Sequence, residues 1–254
     1  MNTTYAVVDI ETTGTDPETD RIIQFGCVLV ENDEIISRFA VDINPIKPIS
    51  NQIQHLTHIS NQRVKKALYF EDVAATIYNL LADTTFVAHN IHFDYNFLNH
   101  EMVRCGMPEL QIPGIDTVEL AQIFLPTEVS FRLNDLAESL GLQHDSPHQA
   151  DSDAEVTAYL LLHIKDTIEK LPLVTLEKIS QLSEMTSKET DLFIKQMTLQ
   201  AQTNPQPLDS SLQVIDGIAL RKKKCHYLKS HIMNGIILKQ KRKSQTLPRT
   251  VNLS

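Results

Sequence analysis

The stretch that decides the reading of this 254-residue chain is Tyr5-Ala-Val-Val-Asp-Ile-Glu-Thr-Thr-Gly14. Tyr5 to Ile10 is a short apolar run of the kind a buried strand shows, and Asp9 interrupts it. A buried charge is costly unless it is paired or bound to a metal. Side chains alternate along a strand, so Asp9 and Glu11 lie on one side and their carboxylates project together. Neighbouring carboxylates repel, and a cation between them relieves the repulsion. With 32 acidic residues in the chain, about one DxE arises by chance, so the pair alone reads equally well as a strand end turning into solvent.

Ile22–Val30 and Glu34–Ile43 are two further strand-like runs, separated by the turn residues Asn32 and Asp33. Together with the first run they predict a three-stranded antiparallel meander. Pro45 and Pro48 break the pattern, and Val64–Leu81 carries apolar residues at helical spacing (Val73, Ile77, Leu80, Leu81). Thr85–Ala88 reads as a fourth strand. A helix over Phe93–Cys105 follows, ended by Gly106 and Pro108, and Ile115-Asp116 is a short strand. Helices are predicted at Val118–Phe124, Leu133–Leu140 and Gln149–Ile168. After Pro172 come Leu173–Met185 and Lys188–Gln200, with Pro205 and Pro207 marking a linker. A meander followed by alternating strands and helices implies an α/β fold, a mixed sheet with helical cover.

Charge is spread unevenly. Arg221 to Ser254 hold ten Lys/Arg and no acid, so residues 1–220 carry 13 basic against 32 acidic groups. Such a body does not attract nucleic acid broadly, because phosphate binding rests on Lys/Arg neutralisation. Divalent cations held by carboxylates would overcome its charge. No apolar run approaches the roughly 18 residues of a membrane span, and Met1-Asn2-Thr3-Thr4 lacks the features of a signal peptide. Cys27, Cys105 and Cys225 form no CxxC, which makes a reduced, cytoplasmic location the expectation. No phosphate-cradling glycine loop occurs.

Two more clusters carry chemistry. Val87-Ala-His-Asn-Ile-His-Phe-Asp94 places Asp94 at a helix start, where an Asp is an ordinary first-turn stabiliser. His148-Gln-Ala-Asp-Ser-Asp153 opens the long helix. HxAxxD is expected only about 0.04 times by chance, and a helix dipole accounts for Asp151 and Asp153 but not for His148.

DIETTG after a strand, HNxxFDxxFL on a strand–helix turn and HxAxxD on a later helix together resemble the DnaQ-like exonucleases. These are 3′→5′ exonucleases of the ribonuclease H-like fold, in the histidine-bearing DEDDh branch to which the polymerase III epsilon-type proofreaders belong. The match spans roughly residues 4–168. Residues 171–220 further resemble the segment after the exonuclease domain in DinG-type fusions of Gram-positive bacteria. The implied organisation is an exonuclease domain at 1–170, a helical extension and linker at 171–220, and a basic tail at 221–254 that reads as disordered.

The resemblance implies a site of Asp9, Glu11, Asp94 and Asp153 around two Mg²⁺ or Mn²⁺ ions. Asp9 bridges both, Glu11 and Asp153 hold the nucleophile-side ion, and Asp94 holds the other through water. His148 takes the proton from the attacking water, and a 5′-nucleoside monophosphate leaves from the 3′ end. The terminal nucleotide is gripped by the backbone of Thr12 and Thr13, with Ile59 as an aliphatic wedge and Asn90 and Phe93 beside the pocket. His58 stands where the family usually has Gly. The other histidines read as surface or hydrogen-bonded residues, His144 being the one rival to His148. The expected partner is DNA with a free 3′ end. RNA on the same scaffold, or a non-catalytic, polymerase-associated binding module, are the alternatives. The absence of a Walker A motif and the abrupt change near Lys224 suggest a fusion that has lost its helicase.

Overall fold

A computed structural model describes residues 3–144, 146–203, 212–215 and 218–221. The chain falls into two units, 1–207 and 208–254. In the first, β1 (Tyr5–Thr12), β2 (Ile22–Glu31) and β3 (Glu34–Asn44) form the antiparallel meander. Asn32 and Asp33 both adopt positive φ (52° and 63°), the requirement of the two-residue turn whose twist matches that of its flanking strands. The short strands β4 (Leu68–Tyr69), β5 (Thr85–Ala88) and β6 (Gly114–Asp116) complete a six-stranded sheet in the order β4-β3-β2-β1-β5-β6. β5 runs parallel to β1, β6 parallel to β5, and β4 parallel to β3.

Alternation along β1 divides the interior. Ala6, Val8 and Ile10 face α3 (Phe70–Leu81) and α4 (Ile91–Arg104), packing with Phe70, Ile77, Phe97 and Met102. Tyr5 and Val7 face the other way, towards α5 (Thr117–Phe124), α6 (Leu133–Leu140) and α7 (Ala150–Glu169). β1 is thus covered on both faces, which is why its apolar run is nearly continuous. Asp9 and Glu11 continue the Tyr5–Val7 side beyond the point where apolar cover ends.

The expectation of one helix across Val64–Leu81 is corrected. Leu68-Tyr69 pairs with Ile43-Asn44, and α3 begins only at Phe70, where the Asp72 carboxylate accepts the Tyr69 N–H at 2.9 Å. Before it lie two short helices that the sequence reading lacked, α1 (Asn51–Thr57) and α2 (Asn61–Val64). The Ser50 and Ser60 hydroxyls cap them by accepting the Ile53 and Arg63 amides.

α8 (Leu173–Leu182), a single 3₁₀ turn at Ser183–Met185 and α9 (Lys188–Thr203) follow. Leu176, Phe193, Ile194 and Met197 join the cluster of Tyr5 and Ile168, and the Tyr5 and Phe193 rings meet edge-on at 6.4 Å. Glu119 of α5 accepts the Ser187 N–H (3.0 Å) and the Ser187 and Thr190 hydroxyls (2.7 and 2.6 Å), clasping the start of α9. In the second unit, β7 (Leu212–Ile215) and β8 (Ile218–Arg221) form an antiparallel hairpin. The basic tail expected to be disordered lies, past Arg221, outside the described residues. Among the described residues no helix is long and apolar enough to cross a membrane.

Candidate active site

β5 is the shorter partner of β1. Their pairing runs from Tyr5↔Thr85 to Val7↔Val87, and β5 ends at Ala88, so the far end of β1 has no strand on that side. The Ile10 N–H donates instead to Asp94 Oδ1 at 3.1 Å. Asp94 comes from the first turn of α4 and is buried at 4% exposure. The sequence reading of Asp94 as a helix-start residue is right about its position, while its carboxylate serves β1. Buried Glu101 holds the same helix to the start of β2 through Arg21 (2.7 Å) and the Ile22 N–H (3.4 Å), and pairs with Arg104 within the helix (2.9 Å).

Asp153 arrives from the opposite side of the sheet, on the first turn of α7. Two features of β2 allow this. A Cβ on Gly26, the register partner of Asp9, would lie 2.1 Å from the Ala150 carbonyl oxygen, so only glycine lets the helix start come this close. Gln24, one pleat along, donates to Asp42 at 2.9 Å and accepts the Ala150 N–H at 2.8 Å, satisfying a helix-start amide that has no partner within the helix. Sequence reasoning missed both residues. A glycine inside the apolar run Ile22–Glu31 was the available signal.

The ends of β1, α4 and α7 bring four carboxylates together, and their electrostatics follow. Burial, then the charges of Asp94, Asp153 and Glu11, holds the Asp9 carboxyl well above the usual range. Burial and Asp153 push Glu11 up to about 8. Burial also raises Asp94 well above the usual range, against the pull of the Ile10 N–H. Asp153 is raised by burial too, but His144 draws it down. Four acids that resist ionisation in one place need protons or cations.

The two histidines divide Asp153 between them. His144 Nε2 lies 2.6 Å from Asp153 Oδ1, and the His148 backbone N–H donates to Oδ2 at 3.2 Å. His148 adopts φ 63°, a left-handed backbone rare for a residue with a side chain. That conformation puts its ring with Glu11 and Asp153, their ligand atoms all within 4.8 Å of one another. His144 is therefore hydrogen-bonded, as the sequence suggested of the remaining histidines, and its partner is a candidate ligand. His89 is likewise engaged, with Thr117 at 3.0 Å and the Phe131 carbonyl at 2.9 Å.

The residues expected to grip a nucleotide divide. Thr12 and Thr13 are buried, and their hydroxyls are engaged by the Gly14 carbonyl and by Asp20 with the Arg21 N–H. Asn90 is exposed at φ 73°, its N–H donating to Asp116 at 3.1 Å, and it lines the same cleft as His148 and Asp153. Phe93 is half-buried against Phe97. Ile59 does not stand at the surface. It is fully buried with Ile23, Ile49 and Val64, and the wedge assignment is corrected accordingly. Burying an isoleucine contributes about 1.5–3 kcal/mol, which swinging it out against a base would forfeit. The exposed apolar side chain of that segment is Leu56. Its neighbour Thr57 accepts a hydrogen bond from Gln149, which also joins Arg63 at 3.0 Å, so this loop is tied to the start of α7.

With the geometry in place, similarity to known proteins can be stated. The family model RNase_T, described as an exonuclease, matches residues 6–161. The 3′-5′ exonuclease DinG of Bacillus subtilis (strain 168) is 44% identical over 183 residues, 71% of this chain and 19% of that protein. DinG of Staphylococcus aureus (strain USA300) is 38% identical over 220 residues, 86% of this chain and 24% of its own. This chain therefore spans about a fifth of the length of the curated relatives it matches. Exonuclease X in complex with 5′ overhanging duplex DNA superposes with a TM-score of 0.52 at 27% identity, over 64% of this chain and 92% of that one. The mixed sheet, the carboxylates at the end of its central strand and the matched span agree: the chain belongs to the RNase_T exonuclease family, with the ribonuclease H-like fold of its DnaQ-like members.

Proposed function

We propose that the protein is a divalent-metal-dependent 3′→5′ exonuclease acting on single-stranded or frayed DNA and releasing 5′-nucleoside monophosphates. The observation that carries the reading is the convergence of Asp9, Glu11, Asp94 and Asp153 with the ring of His148. Burial and mutual repulsion push Glu11 up to about 8 and hold Asp9 and Asp94 well above the usual carboxylate range, a cost that a purely binding surface has no reason to bear. Exonuclease X, solved in complex with 5′ overhanging duplex DNA, supports a DNA substrate.

The donor set fits the metals implied by the family. All four acidic ligands offer oxygen, which suits Mg²⁺ or Mn²⁺. Among the described residues only Ile10, His148 and His144 are seen donating to them across the chain. Asp9, Glu11, Asp94 and Asp153 would hold two such ions. Such ions would supply charge neutralisation at the scissile phosphate and a lowered pKa for the attacking water. The chain's own residues do the rest. His148, fixed by its backbone bond to Asp153, accepts the proton of the attacking water at a ring nitrogen. Asp94 and the Ile10 amide keep the end of β1 from fraying, and so keep Asp9 in place. Asn90, which lines the cleft of His148 and Asp153, and the Thr12–Thr13 backbone receive the terminal nucleotide, with Phe93 beside it.

The test is a 5′-labelled DNA oligomer with Mg²⁺ or Mn²⁺. We expect a ladder shortening from the 3′ end, abolished by EDTA and reduced at least a thousandfold in Asp153→Ala. A folded, metal-supplied protein that leaves the oligomer intact refutes the reading. Cleavage that survives Asp153→Ala shows that the chemistry lies elsewhere.

A further inference from the structure

An acidic body that binds an anionic strand needs positive charge of its own at the point of entry, beyond the charge that cations add to the acids. The cleft that contains His148 and Asp153 has a volume of about 680 Å³ and continues past Asn90 to Phe131, Arg132 and Asn134 at the start of α6. Arg132 is the one Lys or Arg lining it among the described residues.

What the other arginines do makes Arg132 distinct. Arg21 and Arg104 share Glu101, Arg38 holds Glu155, and Arg63 holds Asp42. Of the arginines whose side chains are described, Arg132 alone has no carboxylate partner, although it is exposed among carboxylates. The nearest acid in sequence, Asp135, instead accepts the Ser130 hydroxyl on Oδ2 at 2.5 Å. Its backbone is nevertheless well anchored. The Arg132 carbonyl accepts the Leu136 N–H at 3.0 Å, opening α6, and the neighbouring Phe131 carbonyl meets His89 Nε2 at 2.9 Å. A planar, permanently charged fork on a fixed stem, facing the reaction site and free of an internal partner, matches a phosphate.

We propose that Arg132 binds a non-bridging oxygen of a substrate phosphate on the 5′ side of the scissile bond, one or two nucleotides in, and so sets the strand's path into the cleft. The inference rests on the exonuclease reading above. It makes Arg132 a substrate-binding residue whose loss shows in KM rather than in folding.

The experiment compares Arg132→Gln and Arg132→Lys with the native chain on DNA oligomers carrying a single neutral methylphosphonate at each of the last four linkages. For Arg132→Gln we expect KM to rise about tenfold or more, the range of a lost charge-assisted contact, with kcat within about threefold and an unchanged Tm. Arg132→Lys should recover part of the loss. One methylphosphonate position should weaken native binding and add nothing in Arg132→Gln, and the salt slope of binding should fall by about 0.7 in that variant. Unchanged KM, or methylphosphonate effects that add to Arg132→Gln at every position, overturns the proposal. A native chain that cleaves nothing counts against the exonuclease reading instead. Arg132 is then read by fluorescence anisotropy of the same oligomers in EDTA, where equal affinity of native and Arg132→Gln protein overturns it.

Discussion

Glu11 carries the clearest signature of the site's unrelieved charge, a carboxyl pushed from its ordinary 4.5 up to about 8. A raised value in the folded state means that the protonated form is favoured there. Its stabilisation is complete below the unfolded value near 4.5 and is lost as pH rises through 8. Asp9 and Asp94 shift in the same direction. In EDTA, therefore, Tm should fall as pH is raised from 5 to 8, and millimolar Mg²⁺ or Mn²⁺ should restore several degrees at pH 8 and little at pH 5. Differential scanning calorimetry checks this, and a metal-free Tm that rises over the same interval contradicts it. At this scale part of the site was legible. Strand alternation puts Asp9 and Glu11 on one side, and the rarity of HxAxxD singles out His148. The burial of Ile59 was not legible, because a loop has no period from which to read a face.

Among the elements, the approach of α7 to β2 decides where Asp153 stands. Ala150, Ala154 and Ala158 give the helix a narrow face, and Gly26 gives the strand none. Gly26→Ala places a methyl group against the Ala150 backbone, which has no flexible end to yield. The helix start must shift, carrying Asp153 and His148 with it. We expect a loss of about 1–3 kcal/mol of stability and at least a hundredfold of nuclease activity, read by urea unfolding and the oligomer assay. Near-native kcat in Gly26→Ala would show that the site tolerates a displaced helix. Elements marked by an apolar run or by helical spacing were legible here, β5 by the first and α6 by the second. α1 and α2 were not, since elements of 7 and 4 residues have no room for a period, and their only marks are the capping serines. The start of α3 was displaced because Leu68 and Tyr69 continue its apolar spacing while hydrogen-bonding as strand.

Across the whole molecule, the acidic balance of residues 1–220 leaves few places that would admit an anionic strand, and on the proposed reading the cleft beside α6 is one of them. The fold class was legible from the succession of a meander and alternating elements. The attachment of α8 and α9 was less so, because nothing in an amphipathic helix names the surface it will cover. That surface includes Tyr5 and Ile168, which α9 covers with Phe193, Ile194 and Met197. The clasp between Glu119 and the start of α9 has a practical meaning for anyone preparing a minimal enzyme. A polypeptide cut after residue 170 would still hold every carboxylate of the site, yet it would bare an oily patch at the root of its central strand. We expect such a fragment to express largely as aggregate, or to melt well below a 1–207 fragment, and light scattering with a thermal scan would show it. The shortest piece that behaves as a clean reagent is then set by where apolar surface can be left dry, some way beyond the last residue that does chemistry.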